Sequence, residues 1–189
     1  LGESVVHAAM APSVAPWVSA RVGIAGDNEG GVAFTGRALR VDARHAFESG
    51  SFALSLGAGG NVVWRGSEPT QSDPLRVLSG YGFDVPALVG WQSDAGVLSL
   101  WGGARGGMEA LSTEVYVEPG PMMVAVRPSL PLLHGYAGGV AGLAMGLRHV
   151  HVAFELDVFY HWVGGDLDGS SIKVRGVTLT PAGALIFTF

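Results

Sequence analysis

The chain has 189 residues, of which 14% are charged, with 11 basic against 16 acidic groups and a net charge of −5. That balance excludes the basic surface a nucleic-acid-binding protein needs, and the lack of cysteine excludes a disulfide framework or a thiolate metal site. Hydrophobic residues make up 48%, and a soluble domain would carry about 25% charged residues, yet no apolar run approaches the roughly 18–20 residues of a membrane helix. A transmembrane β-barrel reconciles these facts, because alternate residues face lipid and lumen and each segment is only half hydrophobic. The expected fold is all-β: a closed, antiparallel transmembrane barrel.

In chain order, residues 1–16 are small and apolar with two prolines, and read as an N-terminal periplasmic tail. No basic stretch followed by an apolar one opens the chain, so any secretory leader is expected to have been removed. The barrel domain is expected over residues 17–189. Val18, Ala20, Val22 and Ile24 alternate with Ser19, Arg21 and Gly23. Leu39, Val41 and Ala43 alternate with Arg40, Asp42 and Arg44. Phe52, Leu54, Leu56, Ala58, Val62 and Trp64 alternate with Ser55, Gly57, Gly59, Asn61 and Arg65. Leu111 to Val117 and Ala141 to Leu147 follow the same rule. From Val150 to Trp162 the alternation is unbroken, with Val152, Phe154, Leu156, Val158 and Tyr160 on one side and His151, Glu155, Asp157 and His161 on the other. A period of 2 is the strand period; a helix of period 3.6 would mix these residues.

Connections sort into short ones (48–51, 92–96, 118–121, 148–149) and polar, Gly- or Pro-rich ones (26–31, 66–74, 131–138, 163–171). With a tight outer turn at Gly106–Gly107 the two kinds alternate, which predicts about ten strands; if 118–121 lies inside one long loop the number is eight. Both are even, as bacterial barrels require. Pro181 lies on the outward side of the last strand and predicts a bulge there.

The chain ends Ala184-Leu185-Ile186-Phe187-Thr188-Phe189. This resembles the C-terminal signature of bacterial outer-membrane β-barrels, with Leu185, Phe187 and Phe189 as the alternating hydrophobic positions. By length the chain is similar to the small barrels, the size class of the OmpA transmembrane domain, OmpX, OmpW and the omptins. The resemblance implies insertion into a bacterial outer membrane by the barrel-assembly machinery, with lipid and lipopolysaccharide around the wall. Phe47, Phe52 and Trp91 are expected at the periplasmic rim with Phe187 and Phe189. Trp64, Tyr81, Tyr160 and Trp162 are expected at the outer rim, since amphipathic rings favour both interfaces.

Projected inward, the strands carry Arg21, Arg40, Arg44, Arg65, Arg127 and Arg148, and also Asp42, Asp84, Glu114, Glu118, Glu155 and Asp157. Charges taken from bulk water must pair, so these predict a cross-linked lumen network. His149 and His151 could supply half a metal site but have no third ligand, and no metal or cofactor is expected. His161 reads as a solvated loop histidine near Asp166 and Asp168. Two acidic, Gly-rich stretches, 27–31 and 164–169, read as turns that use Asp and Gly for positive φ. No nucleophile elbow, P-loop or dinucleotide fingerprint is present. The expected function is a structural or interaction component of the outer membrane, an anchor for other envelope proteins. The alternatives are a narrow solute channel and a lipid- or peptide-hydrolysing barrel.

Overall fold

The structure, a computed structural model, describes residues 17–36, 38–65, 78–114, 129–147, 149–167 and 170–188. These residues contain nine strands: β1 (Val18–Ile24), β2 (Asn28–Phe34), β3 (Ala38–Ser49), β4 (Phe52–Arg65), β5 (Leu78–Gln92), β6 (Leu98–Glu114), β7 (Ser129–Leu147), β8 (Val150–Leu167) and β9 (Ser170–Phe187). Each pairs antiparallel with its sequence neighbours in a single sheet ordered β1 to β9. The sheet forms a half-barrel, and no helix occurs among the described residues.

The strands form where side chains alternate, and the alternation sorts the two faces. The outer face carries Val18, Val22, Val41, Leu56, Val62, Phe83, Val85, Val89, Phe154, Leu156, Val158, Val177 and Leu179, all exposed. The buried residues of the inner face include Asp42, Asp84, Glu109 and His134 together with Val63, Leu111, Leu130, Leu132 and Val163. A water-soluble sheet would put the aliphatic face inside. Here large apolar side chains face outward on every strand, far beyond the scattered single residues of an ordinary surface.

Strand direction divides the wall into two ends. The β1–β2, β3–β4, β5–β6 and β7–β8 connections and the end of β9 lie at one end, called here the turn end. The β2–β3, β4–β5, β6–β7 and β8–β9 connections lie at the other, the loop end. At the β1–β2 turn three residues, Ala25, Gly26 and Asp27, join the register partners Ile24 and Asn28, and Gly26 and Asp27 both have positive φ, 73° and 59°, as short hairpin turns require. Asn28 Nδ2 closes it by donating to the carbonyls of Ala25 and Gly26 at 3.0 and 2.9 Å. Phe52 and Trp91 are direct register partners at the turn end, and Val150 faces Phe187 there. Trp64, Tyr81, Tyr160 and Trp162 lie toward the loop end.

Several sequence expectations are corrected. The described residues hold nine strands in an open sheet and do not show the closed wall or the ten or eight strands expected. Residues 26–31 contain only a tight turn, and Asn28–Phe34 forms β2, paired on both sides. Gly106–Gly107 is not a turn: β6 runs straight through it, with Gly106 opposite Val85 and Ala137. The glycine serves close approach, since a Cβ on Gly107 would lie 2.7 Å from the Tyr136 ring. Residues 131–138 are not a loop but the first half of β7. Most of 163–171 belongs to β8 and β9, which pair as far as Leu167 opposite Ser170. Pro181 makes no bulge, and the β8–β9 register is continuous from Val150–Phe187 to Leu167–Ser170. On β9, whose described pairing is to β8 alone, a proline can direct its missing N–H away from its neighbour. The tail at 1–16 and the connections at 66–74 and 118–121 lie outside the described residues.

Candidate functional site

The polar side chains of the inner face form two clusters. The first links β1, β2, β3, β5 and β6. Arg44 and Arg21 both contact Glu29, and Arg21 and Arg40 both contact Asp42. Arg40 also grips Asp84 with two parallel bonds, Nε to Oδ1 at 2.8 Å and Nη2 to Oδ2 at 2.9 Å. Arg105 Nε donates to the same Asp84 Oδ2 at 2.8 Å. Asp84 is 2% exposed, so its two arginines replace the water it has lost. Bidentate guanidinium–carboxylate geometry is the arrangement in which such replacement is strongest. Gly59 makes room for it: a Cβ there would lie 2.7 Å from the Arg40 guanidinium and 2.8 Å from Asp84.

The second cluster runs around the loop half of the wall, through β4, β6, β7, β8 and β9. Asn61 Nδ2 donates to Glu109 Oε1 at 2.7 Å. Glu109 Oε2 meets His134 Nδ1 at 2.9 Å, His134 Nε2 meets His161 Nδ1 at 2.9 Å, and His161 Nε2 meets Thr178 Oγ1 at 2.9 Å. Glu109 and His134 are 3% and 2% exposed. A carboxylate only accepts, so His134 carries its hydrogen on Nδ1. With one ring hydrogen on each histidine, His134 Nε2 accepts from His161 Nδ1–H, and His161 Nε2 accepts the Thr178 hydroxyl hydrogen. In that tautomer every donor in the relay points toward Glu109. Asn61 reaches Glu109 across Gly82 of the intervening β5, and from β6 to β9 each step joins neighbouring strands, so the relay runs circumferentially. Tyr136 and Phe159 pack around His161 with ring centroids 6.0 and 6.2 Å away.

Below the relay, toward the turn end, Trp101 Nε1 donates to Glu155 Oε2 at 2.7 Å. The indole lies over Gly142, where a Cβ would be 2.3 Å from the ring. Asp157, two residues on, interacts electrostatically with Glu155 and Arg105, and its Oδ1 is buried with no hydrogen-bond partner among the described residues.

The structure brings together Arg21, Arg40, Asp42, Arg44 and Asp84 of the predicted network, and places Glu155 and Asp157 on the same inner face. For Arg65 and Glu114, the last residues of β4 and β6, only the backbone is described. Glu118, Arg127, Arg148 and Phe189 lie outside the described residues, while Leu185 and Phe187 face outward on β9 and are exposed. His161 is not a solvated loop residue but part of the inner relay. Sequence reading missed Glu29, Arg105, Glu109 and His134 because it placed turns or loops at or beside them. The signal was available in β6: Trp101, Gly103, Arg105, Gly107, Glu109 and Leu111 keep one parity across the supposed turn. No cluster of metal-ligating side chains occurs among the described residues. Comparison with protein-family models, curated proteins and solved structures finds no match to this chain.

Proposed function

We propose that this chain is a bacterial outer-membrane β-barrel whose ion-paired interior makes it a structural anchor of the envelope rather than an open pore. The observation that carries the reading is the reversal of faces: an exposed aliphatic band outside, bounded by aromatic residues at both ends, and paired charges inside. On β8 the outward run from Val150 to Trp162 covers about 40 Å along the strand at ~3.4 Å per residue. At the usual barrel tilt of about 40° that height is about 30 Å, the thickness of a bilayer core. Nine strands in a meander leave β1 and β9 running the same way. One further strand from outside the described residues, antiparallel to both, would complete an even-numbered closed wall. Closure matters because each unpaired backbone group in lipid costs several kcal/mol.

The test is folding into detergent or vesicles, followed by gel migration with and without boiling. A folded barrel migrates differently in the two lanes. A chain that folds as a compact monomer in plain buffer overturns the proposal. The filled interior also favours silence in planar bilayers; steady conductance altered by Arg40→Gln would replace the anchor with the narrow channel.

A second reading rests on the Thr178–His161 contact. A hydroxyl donating to a histidine that is itself oriented by a further partner is the nucleophile-and-base arrangement of acyl-transfer enzymes. A barrel hydrolase would lose turnover of lipid or peptide esters on His161→Ala while keeping its heat-dependent migration. No turnover across both substrate panels removes this reading.

A further inference from the structure

The outer face changes character within one step at the loop end of β8 and β9. Moving along the paired strands, Tyr160 faces Val177, then Trp162 faces Arg175, Gly164 faces Lys173, and Asp166 faces Ser171. Up to Tyr160–Val177 the face is apolar or aromatic; from Arg175 onward it is polar. Lys173 and Arg175 are exposed. They are unlike Arg21, Arg40, Arg44 and Arg105, which turn inward and meet carboxylates. Among the described side chains, Lys173 and Arg175 are the outward-facing cations, and neither has an ion-pair partner there. Asp166 is the carboxylate on this stretch of face and lies one pair farther from the apolar band than Lys173.

Tyr160 and Trp162 sit side by side, ring centroids 6.1 Å apart, and the Trp162 indole lies across Gly135, where a Cβ would be 2.2 Å away. The indole is therefore laid against the wall at the upper border of the apolar band. Two cations begin at that border, at the height where a bilayer's hydrocarbon gives way to headgroups.

We infer that Trp162, Lys173 and Arg175 form a headgroup-binding strip that takes the phosphate of an anionic membrane lipid. The inference rests on the membrane reading above. Three observations select the occupant: continuity with the apolar band, the aromatic border, and the positive charge placed immediately beyond it. An anionic lipid fills all three, with its acyl chains on Val158, Leu179 and Val177, its interface at Trp162, and its phosphate at Arg175 and Lys173. Basic residues near an anionic bilayer surface are attracted in this way, and the attraction is screened by salt. The strip also orients the chain, turning its loop end toward the leaflet richer in anionic headgroups.

The test folds the full chain into vesicles of phosphatidylcholine alone and into vesicles with about a third of the lipid replaced by phosphatidylglycerol, then titrates each with urea. At low salt the anionic vesicles should raise the folded-to-unfolded ratio by about fivefold for each of the two cations. The paired variant Lys173→Gln/Arg175→Gln should fold in phosphatidylcholine as the parent does but lose this gain. The charge-keeping pair Lys173→Arg/Arg175→Lys should retain it. An equal gain in the parent and the glutamine variant overturns the strip. So does an equal stabilisation in phosphatidylcholine by free inorganic phosphate, which would make the site one for a soluble anion. A parent chain that folds in neither vesicle overturns the membrane reading itself and this inference with it, an outcome distinct from the loss of the anionic gain alone.

Discussion

The two clusters on the inner face solve the same problem by different chemistry. On the side of β1 to β3, charge is matched by charge: Asp42 and Asp84 each sit between two arginines. Across β4 to β9, the described hydrogen bonds to one carboxylate, Glu109, come from an amide and an imidazole, Asn61 and His134, and the chain continues through His161 to Thr178. The arginine cluster takes in the short strands, with seven residues in β1 and in β2, and ties them through β3 to the longer β5 and β6. The histidine relay ties together the long ones, with 19 in β7 and 18 each in β8 and β9. Short strands contribute few ladder bonds, so long charged side chains that reach across two or three strands hold that part of the wall. Long strands are already aligned by their ladders, so shorter polar groups suffice.

The largest expected effect breaks the arginine side. Asp84→Ala takes away the carboxylate that Arg40 and Arg105 share, leaving Arg40 with Asp42 alone and Arg105 without its bonded carboxylate, and removing one partner of a buried pair costs about 3–5 kcal/mol. Urea unfolding of the vesicle-folded chain would show it, and a loss below about 1 kcal/mol would mean that water reaches Asp84 freely. Next comes the histidine side. His134→Leu keeps the volume but leaves Glu109 and His161 each short of a partner, for a loss of about 2 kcal/mol. A smaller effect follows from Trp101→Phe, which removes the donor to Glu155 but keeps most of the ring over Gly142. About 1 kcal/mol is expected from the same titration. The smallest is Arg21→Gln. Its side chain is 31% exposed and Arg40 still holds Asp42, so the change should stay near 0.5 kcal/mol and shrink in high salt. Combining Arg21→Gln with His134→Leu sharpens the comparison. If the clusters are independent, the two losses add within about 0.5 kcal/mol; a larger coupling would mean that the two sides act as one network.

Most of the wall was legible because side-chain alternation is local. Val150 to Trp162 declares its two faces without reference to any other strand, and the same holds for β3 and β4. Glycine and proline misled because one residue type serves opposite ends. Gly106–Gly107 and the stretch from Pro131 to Gly138 have the composition of turns. In the structure the first accommodates the Tyr136 ring, and the second underlies Trp162 and carries His134 into the relay. Asn28–Phe34, with two adjacent glycines, looks like a loop until β1 and β3 flank it.

The amino-acid order by itself determined the strand period, the apolar outer face, the charged inner face and the aromatic rims, since each depends only on residues one or two positions apart. Tertiary structure decided which inner groups meet. Glu109 lies directly opposite His134, but His134 reaches His161 and His161 reaches Thr178 across diagonals. Those meetings depend on the register between successive strands. Register is fixed by all the paired backbone groups together, so no single segment encodes it.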